Sequence, residues 1–149
     1  MLKKALYSLA VIALVLVATA SGMYVTNRAP VVPPLAGDAP TFKPFVIKLH
    51  ARWCVFCMMT KDEWSRIEET YRGRVNLVVF DFTSDETTAA SRAEAVRLGL
   101  ETFFEEFAGV TGSVVVLDGP TKRVTAEING NRDFAEYRTA IDAAFLASR

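Results

Sequence analysis

Cys54 and Cys57 are the only cysteines in this 149-residue chain, and its only histidine, His50, stands just before them in "HARWCVFCMM". Two thiols three positions apart can close a disulfide, hold a soft metal ion or trade electrons with another protein. A bridge across so few residues removes little unfolded-state entropy, which argues against a purely structural disulfide. Cys54, Cys57, His50 and a methionine are ligands of the kind that select Cu(I), so an exported copper-binding or delivery module is the alternative reading. Zinc is disfavoured, because three good ligands fall short of the four of a closed structural site. Met58 and Met59 otherwise read as core and surface positions of a helix.

The elements around the pair decide its chemistry. "FVIKLH" (Phe45–His50) is a short β-rich run directly before the cysteines. After them, "MMTKDEWSRIEETY" places Trp64, Ile67 and Tyr71 at helical spacing. "RVNLVVF" (Arg74–Phe80) predicts a second strand, apolar enough to be buried on both faces. A helix follows from a cap at Ser84 or Asp85 to Leu98, stopping at Gly99, and "TFFEEF" adds a further helical turn. "SVVVLD" (Ser113–Asp118) and "RVTAEI" (Arg123–Ile128), joined by the turn "GPTK", predict a hairpin of antiparallel edge strands. Asp133 and Glu136 predict a capping box for a closing helix whose apolar face is Phe134, Tyr137, Ile141 and Phe145. The order β-α-β-α-β-β-α implies an α/β fold, a four-stranded mixed sheet with helices on both faces.

In that order Cys54 opens a helix, where unpaired backbone N–H groups favour a thiolate. Cys54 is then the attacking sulfur. Cys57, one turn further in, is the resolving thiol that breaks the mixed disulfide. His50 either tunes the thiolate or is a packed, partly exposed residue at the strand end.

The front of the chain is different in kind. Lys3 and Lys4 precede a stretch without charge from Ala5 to Asn27, which reads as a signal-anchor helix or a cleaved signal peptide (1–27). Five of the six prolines fall between Arg28 and Pro44, predicting an extended linker (28–41) ahead of a domain over 42–149. The domain is thereby expected to face the periplasm or cell exterior, where closely spaced thiols are oxidised unless something reduces them. With 17 basic and 17 acidic residues and no basic stripe, nucleic acid is excluded as a partner. A hydrophobic content of 51% is enough for a core without disulfide staples.

"VIKLHARWCVFC" resembles the active-site segment of the thioredoxin superfamily, with a tryptophan before the first cysteine. The resemblance spans residues 42–149, including the strand order, the "GVTGSVVVL" leading into the third strand, and Gly130 before the last helix. In layout the chain is similar to exported, membrane-anchored thioredoxin-like proteins that pass reducing equivalents to extracytoplasmic partners. The resemblance implies a protein-disulfide oxidoreductase with Trp53, Val55, Phe56, Ser113 and Val114 in contact with substrate. It implies no organic cofactor and no metal. The partners implied are disulfide-containing client proteins and, to recharge the pair, a membrane electron donor or another thioredoxin-like protein.

Two positions depart from the family pattern. The family's cis-proline before the third strand is replaced by Val114, after Ser113, and no proline occurs between Pro44 and Pro120. Valine keeps a trans peptide, since cis costs a non-proline residue about 3 kcal/mol. The buried acid six residues before the first cysteine is replaced by Lys48. A lysine there either lowers thiol pKa values or snorkels to solvent at the sheet edge. The pair Val55-Phe56 supplies neither charge nor side-chain hydrogen bond to the thiolate, which points to an intermediate-to-reducing potential.

Overall fold

The computed structural model describes residues 42–148. The N-terminal apolar stretch and the proline-rich linker lie outside the described residues. Among the described residues, no helix is long and apolar enough to cross a membrane.

Among the described residues, four strands and five helices follow one another as β1 (Phe45–His50), α1 (Val55–Met59), α2 (Lys61–Tyr71), β2 (Asn76–Asp81), α3 (Asp85–Leu98), α4 (Glu101–Glu106), β3 (Ser113–Leu117), β4 (Val124–Asn129) and α5 (Phe134–Ala147). The sheet order is β2-β1-β3-β4. β1 runs parallel to β2, as an intervening pair of helices requires, and antiparallel to β3, which forms the hairpin with β4. The strand that delivers the cysteines, β1, thus lies in the interior of the sheet.

Alternation along β1 divides the core in two. Phe45, Ile47 and Leu49 face a layer formed with Phe80, Ala95, Leu100, Phe103 and Phe104 of β2, α3 and α4. Val46 points the other way, into Trp64, Ile67, Tyr71, Tyr137 and Ile141 of α2 and α5.

Several expectations need correcting. β2 begins at Asn76 rather than Arg74, and its residues alternate between buried and half-buried. It is an edge strand, and β1 and β3 are the strands covered on both faces. Of the hairpin, only β4 is an edge, because β3 pairs on both sides. The helix after the cysteines is interrupted at Thr60, whose hydroxyl and backbone N–H both donate to the Phe56 carbonyl at 2.8 and 3.0 Å. The α5 capping box is incomplete. Asp133 accepts from the Ala135 N–H, but Glu136 bonds the Asn131 side chain, and the Asp133 N–H goes to Asn131 Oδ1. By contrast Ser84 and Thr87 form a reciprocal capping box on α3, and Gly99 closes it in the left-handed conformation.

The chain enters β1 through a tethered segment. The Lys43 ammonium donates to the Gly73 carbonyl and Asn76 Nδ2 to the Lys43 carbonyl. Gly119 lets the β3–β4 turn press on this segment, since a Cβ there would lie 2.4 Å from the Lys43 oxygen.

Candidate active site

β1 ends at His50, and a tight turn closed by the Cys54 N–H to Ala51 carbonyl bond delivers the first thiol to the start of α1. Cys54 is the N-cap of that helix, with extended backbone, and its sulfur accepts from the Cys57 N–H at 3.1 Å. Thiol sulfur thus takes the place of the hydroxyl or carboxylate that usually caps. Both cysteines are free thiols. Cys57, one turn on, aims its thiol at the Leu49 carbonyl, 3.6 Å away. That carbonyl also accepts the Gly112 N–H at 2.9 Å, so the helix and the loop before β3 meet on one backbone oxygen.

The two thiols have opposite acidities. Burial pushes Cys54 up, but hydrogen bonds from the Cys57 thiol, the Thr111 hydroxyl and the Cys57 and Phe56 N–H groups outweigh it, holding the thiol below its ordinary range. Burial pushes Cys57 up, and its interaction with Cys54 adds to the rise. Such a split keeps one sulfur as the nucleophile while the other retains its proton. Yet both cysteines are covered: Cys54 is 5% exposed and Cys57 2%.

Around this pair the rim is apolar and open. Trp53 is 62% exposed and Phe56 58%, and Val55, Met58 and Met59 are exposed beside them. Met58 is therefore a surface residue, against the expectation of a core position. Ser113 and Val114 are different, with buried side chains. The Ser113 hydroxyl bonds Asn129 Oδ1, and Val114 packs into the α2–α5 core opposite Lys48. Neither presents a side chain to the rim. No peptide bond among the described residues is cis, so Val114 does not reproduce the cis-proline geometry.

Lys48 does not snorkel. It lies on central β1, is 9% exposed, and its ammonium sits 5.4 Å from the Trp64 ring. It lines a crevice with Cys57, Thr60, Trp64 and Tyr137 that is too narrow to admit water. Desolvation lowers the Lys48 pKa, while the thiol groups of Cys57 and Cys54 and the Glu68 carboxylate pull it back up. His50 is half-buried at the end of β1, paired across the ladder with Asp81, and its Nδ1 has no hydrogen-bond partner. Burial and then the Lys48 charge lower its pKa. His50, Cys54 and Cys57 do not converge: among the described residues no three His, Cys, Asp or Glu side chains are grouped so as to hold a metal ion.

Three participants were not evident from the motif. Thr111 supplies a hydrogen bond to the first thiol. Gly112 and Gly130, joined by a 3.0 Å backbone hydrogen bond, form a seat for the Phe56 side chain. A Cβ added at Gly112 would fall 2.8 Å from Phe56 Cβ, and one at Gly130 2.7 Å from Phe56 Cδ1. The "GVTG" run leads into β3, but its contact with Phe56 spans distant parts of the chain.

No family model and no curated protein matches the chain. Solved structures do. A secreted Mycobacterium tuberculosis disulfide oxidoreductase, described as homologous to E. coli DsbE, is 15% identical over 68% of this chain and 82% of its own, with a TM-score of 0.47. A thioredoxin-family thiol:disulfide interchange protein from Chlorobium tepidum is 18% identical over 70% and 81%, also at 0.47. Thioredoxin O2 from Arabidopsis thaliana is 17% identical over 72% and 80%, at 0.45.

Proposed function

We propose that this chain is a thiol–disulfide oxidoreductase that acts on extracytoplasmic protein disulfides, as a reductant rather than an oxidant. The observation that carries the reading is the placement of two thiols one turn apart at the start of α1: Cys54 caps the helix and accepts the Cys57 N–H at 3.1 Å, and Cys57 is buried against the Leu49 carbonyl, which holds the first thiol's pKa down and pushes the second's up. The Cys54 thiolate attacks one sulfur of a client disulfide. The S–S bond breaks, and the other client sulfur leaves as a thiolate and takes a proton. Cys57 then loses its proton and attacks Cys54 Sγ, and the second client sulfur leaves. The client gains two electrons and two protons, and the chain is left with a Cys54–Cys57 disulfide.

Lys48 beside Cys57 is the group placed to ease that second deprotonation. Trp53, Val55 and Phe56 form the surface the client meets, with the backbone of Ser113 and Val114 behind it. The extracytoplasmic setting rests on the uncharged stretch from Ala5 to Asn27, and the direction of flow on the apolar Val55-Phe56 pair. A membrane electron donor or another thioredoxin-like protein would recharge the pair.

The test is trapping. Cys57→Ser should accumulate mixed disulfides with client proteins, resolved by added reductant, and Cys54→Ser should accumulate none. The reverse pattern overturns the assignment. A reduction potential near or below about −250 mV supports the reductant direction, and one near about −120 mV reverses it.

A further inference from the structure

The turn that carries Cys54 is held from outside the motif. Its own closure is one bond, the Cys54 N–H to the Ala51 carbonyl at 3.2 Å, and its middle residues, Arg52 and Trp53, are exposed. Two further bonds tie it to the end of β2. The His50 carbonyl accepts the Phe82 N–H at 2.8 Å, and the Arg52 N–H donates to Thr83 Oγ1 at 2.9 Å. The Thr83 hydroxyl donates in turn to Asp81 Oδ1, the same oxygen that accepts the Thr83 N–H at 2.8 Å. Asp81 is itself fastened to α3. Its N–H donates to Ser91 Oγ at 2.8 Å, and the Ser91 hydroxyl donates back to the Asp81 carbonyl at 3.4 Å.

We propose that Thr83, oriented by Asp81, is a positioning residue for Cys54: it fixes the Arg52 backbone, and so the turn that brings the sulfur to the start of α1. The role of Cys54 as nucleophile rests on the oxidoreductase reading above. A hydroxyl has one proton to give and a carboxylate can only accept. With that proton on Asp81, Thr83 Oγ1 has only lone pairs to turn toward the Arg52 N–H, and the direction of the bond is set. Arg52 is exposed, so water replaces the bond when it is lost and the fold loses little. What suffers is alignment. Cys54 Sγ accepts the Cys57 N–H at 3.1 Å, and such bonds weaken steeply as their angle closes. A turn free to drift therefore weakens the bonds that favour the thiolate.

The test uses the full chain in a Cys57→Ser background, where iodoacetamide alkylation across pH reads the titration midpoint of Cys54 alone. Thr83→Val keeps the shape of the side chain and removes the hydroxyl. It should raise the midpoint, so that the thiolate-to-thiol ratio at any fixed pH falls about fivefold, the scale of one hydrogen bond. Thr83→Ser keeps the hydroxyl and should restore the parent midpoint. The Arg52 amide should exchange with solvent faster in Thr83→Val than in the parent or in Thr83→Ser, which ties the shift to this bond. An unchanged midpoint in Thr83→Val, or an equal rise in Thr83→Ser, overturns the proposal. If Thr83→Val does not fold, Thr83→Ala takes its place in the same comparison. A chain whose Cys54 titrates as expected yet which reduces no protein disulfide keeps the positioning and loses the oxidoreductase reading.

Discussion

The two faces of the sheet are built from different materials. Toward α3 and α4 the core is hydrocarbon apart from Ser91, which is bonded to the Asp81 backbone, with Phe80 edge-on to Phe104 at 5.2 Å and Phe103 stacked on Phe107 at 4.5 Å. Toward α2 and α5 the core admits Lys48, Glu63, Thr60 and two tyrosine hydroxyls. There Tyr71 donates to Asp142 at 2.9 Å and Tyr137 to the Asn131 carbonyl at 2.7 Å, while Glu63 keeps one buried oxygen without a partner. Burying polar groups costs stability unless they are paired. That cost is borne on the face that carries Cys57, and the opposite face is left free to hold the fold together.

The sharpest way to break this contrast is to damage each face in turn. Phe80→Ala, on the hydrocarbon face, should cost about 3–5 kcal/mol by leaving a cavity among the aromatic rings. Denaturant unfolding checks this, and the thiol titrations of the protein that remains folded should match the parent. Lys48→Met, on the polar face, should do the opposite. Stability should hold or rise, because an apolar side chain removes a desolvated charge. Resolution of a mixed disulfide by Cys57 should slow about tenfold, because a positive charge that favours the thiolate is removed. Stopped-flow release of a chromophoric thiol reads that step. If stability falls and resolution is untouched, Lys48 is only a packing residue.

Smaller effects sharpen the picture. Tyr71→Phe should cost about 1 kcal/mol for the lost hydrogen bond. The same tyrosines give the polar face a pH dependence that the aromatic face lacks. Burial, then the Asp142 carboxylate, pushes Tyr71 up to about 12; burial, then Glu63, does the same for Tyr137. A raised acid binds its proton more tightly folded than unfolded, so this stability is fully present below the ordinary tyrosine value of 10.0 and is lost as pH rises to about 12. Urea midpoints should fall across that window, and fall less in the Tyr71→Phe, Tyr137→Phe double variant.

What the chain declares in one dimension follows a physical line between local and distant contacts. Element order, the placement of Cys54 at a helix start, and the Ser84 and Gly99 boundaries are set by neighbours a few residues apart, and all were legible. The interruption at Thr60 was not, because threonine is a common helix residue and only its bond back to Phe56 marks the break. Covered and edge strands could not be told apart at "NLVVF" and "SVVVL", since both are apolar runs and the difference lies in which strand takes the centre. Lys48 was ambiguous for the same reason: its burial depends on α2 closing over β1. The Phe56 seat joins residues more than fifty positions apart, with no local pattern to announce it.

The tethered segment ahead of β1 has a mechanical meaning. Lys43 is fastened at one end of β1 and the thiols stand past the other, a separation of about 20 Å for a six-residue strand and its turn. A pull applied at residue 42 would therefore enter at the pole farthest from the thiols. Such a load is taken first by the Lys43 and Asn76 bonds, and the turn that carries the thiols stays clear of it.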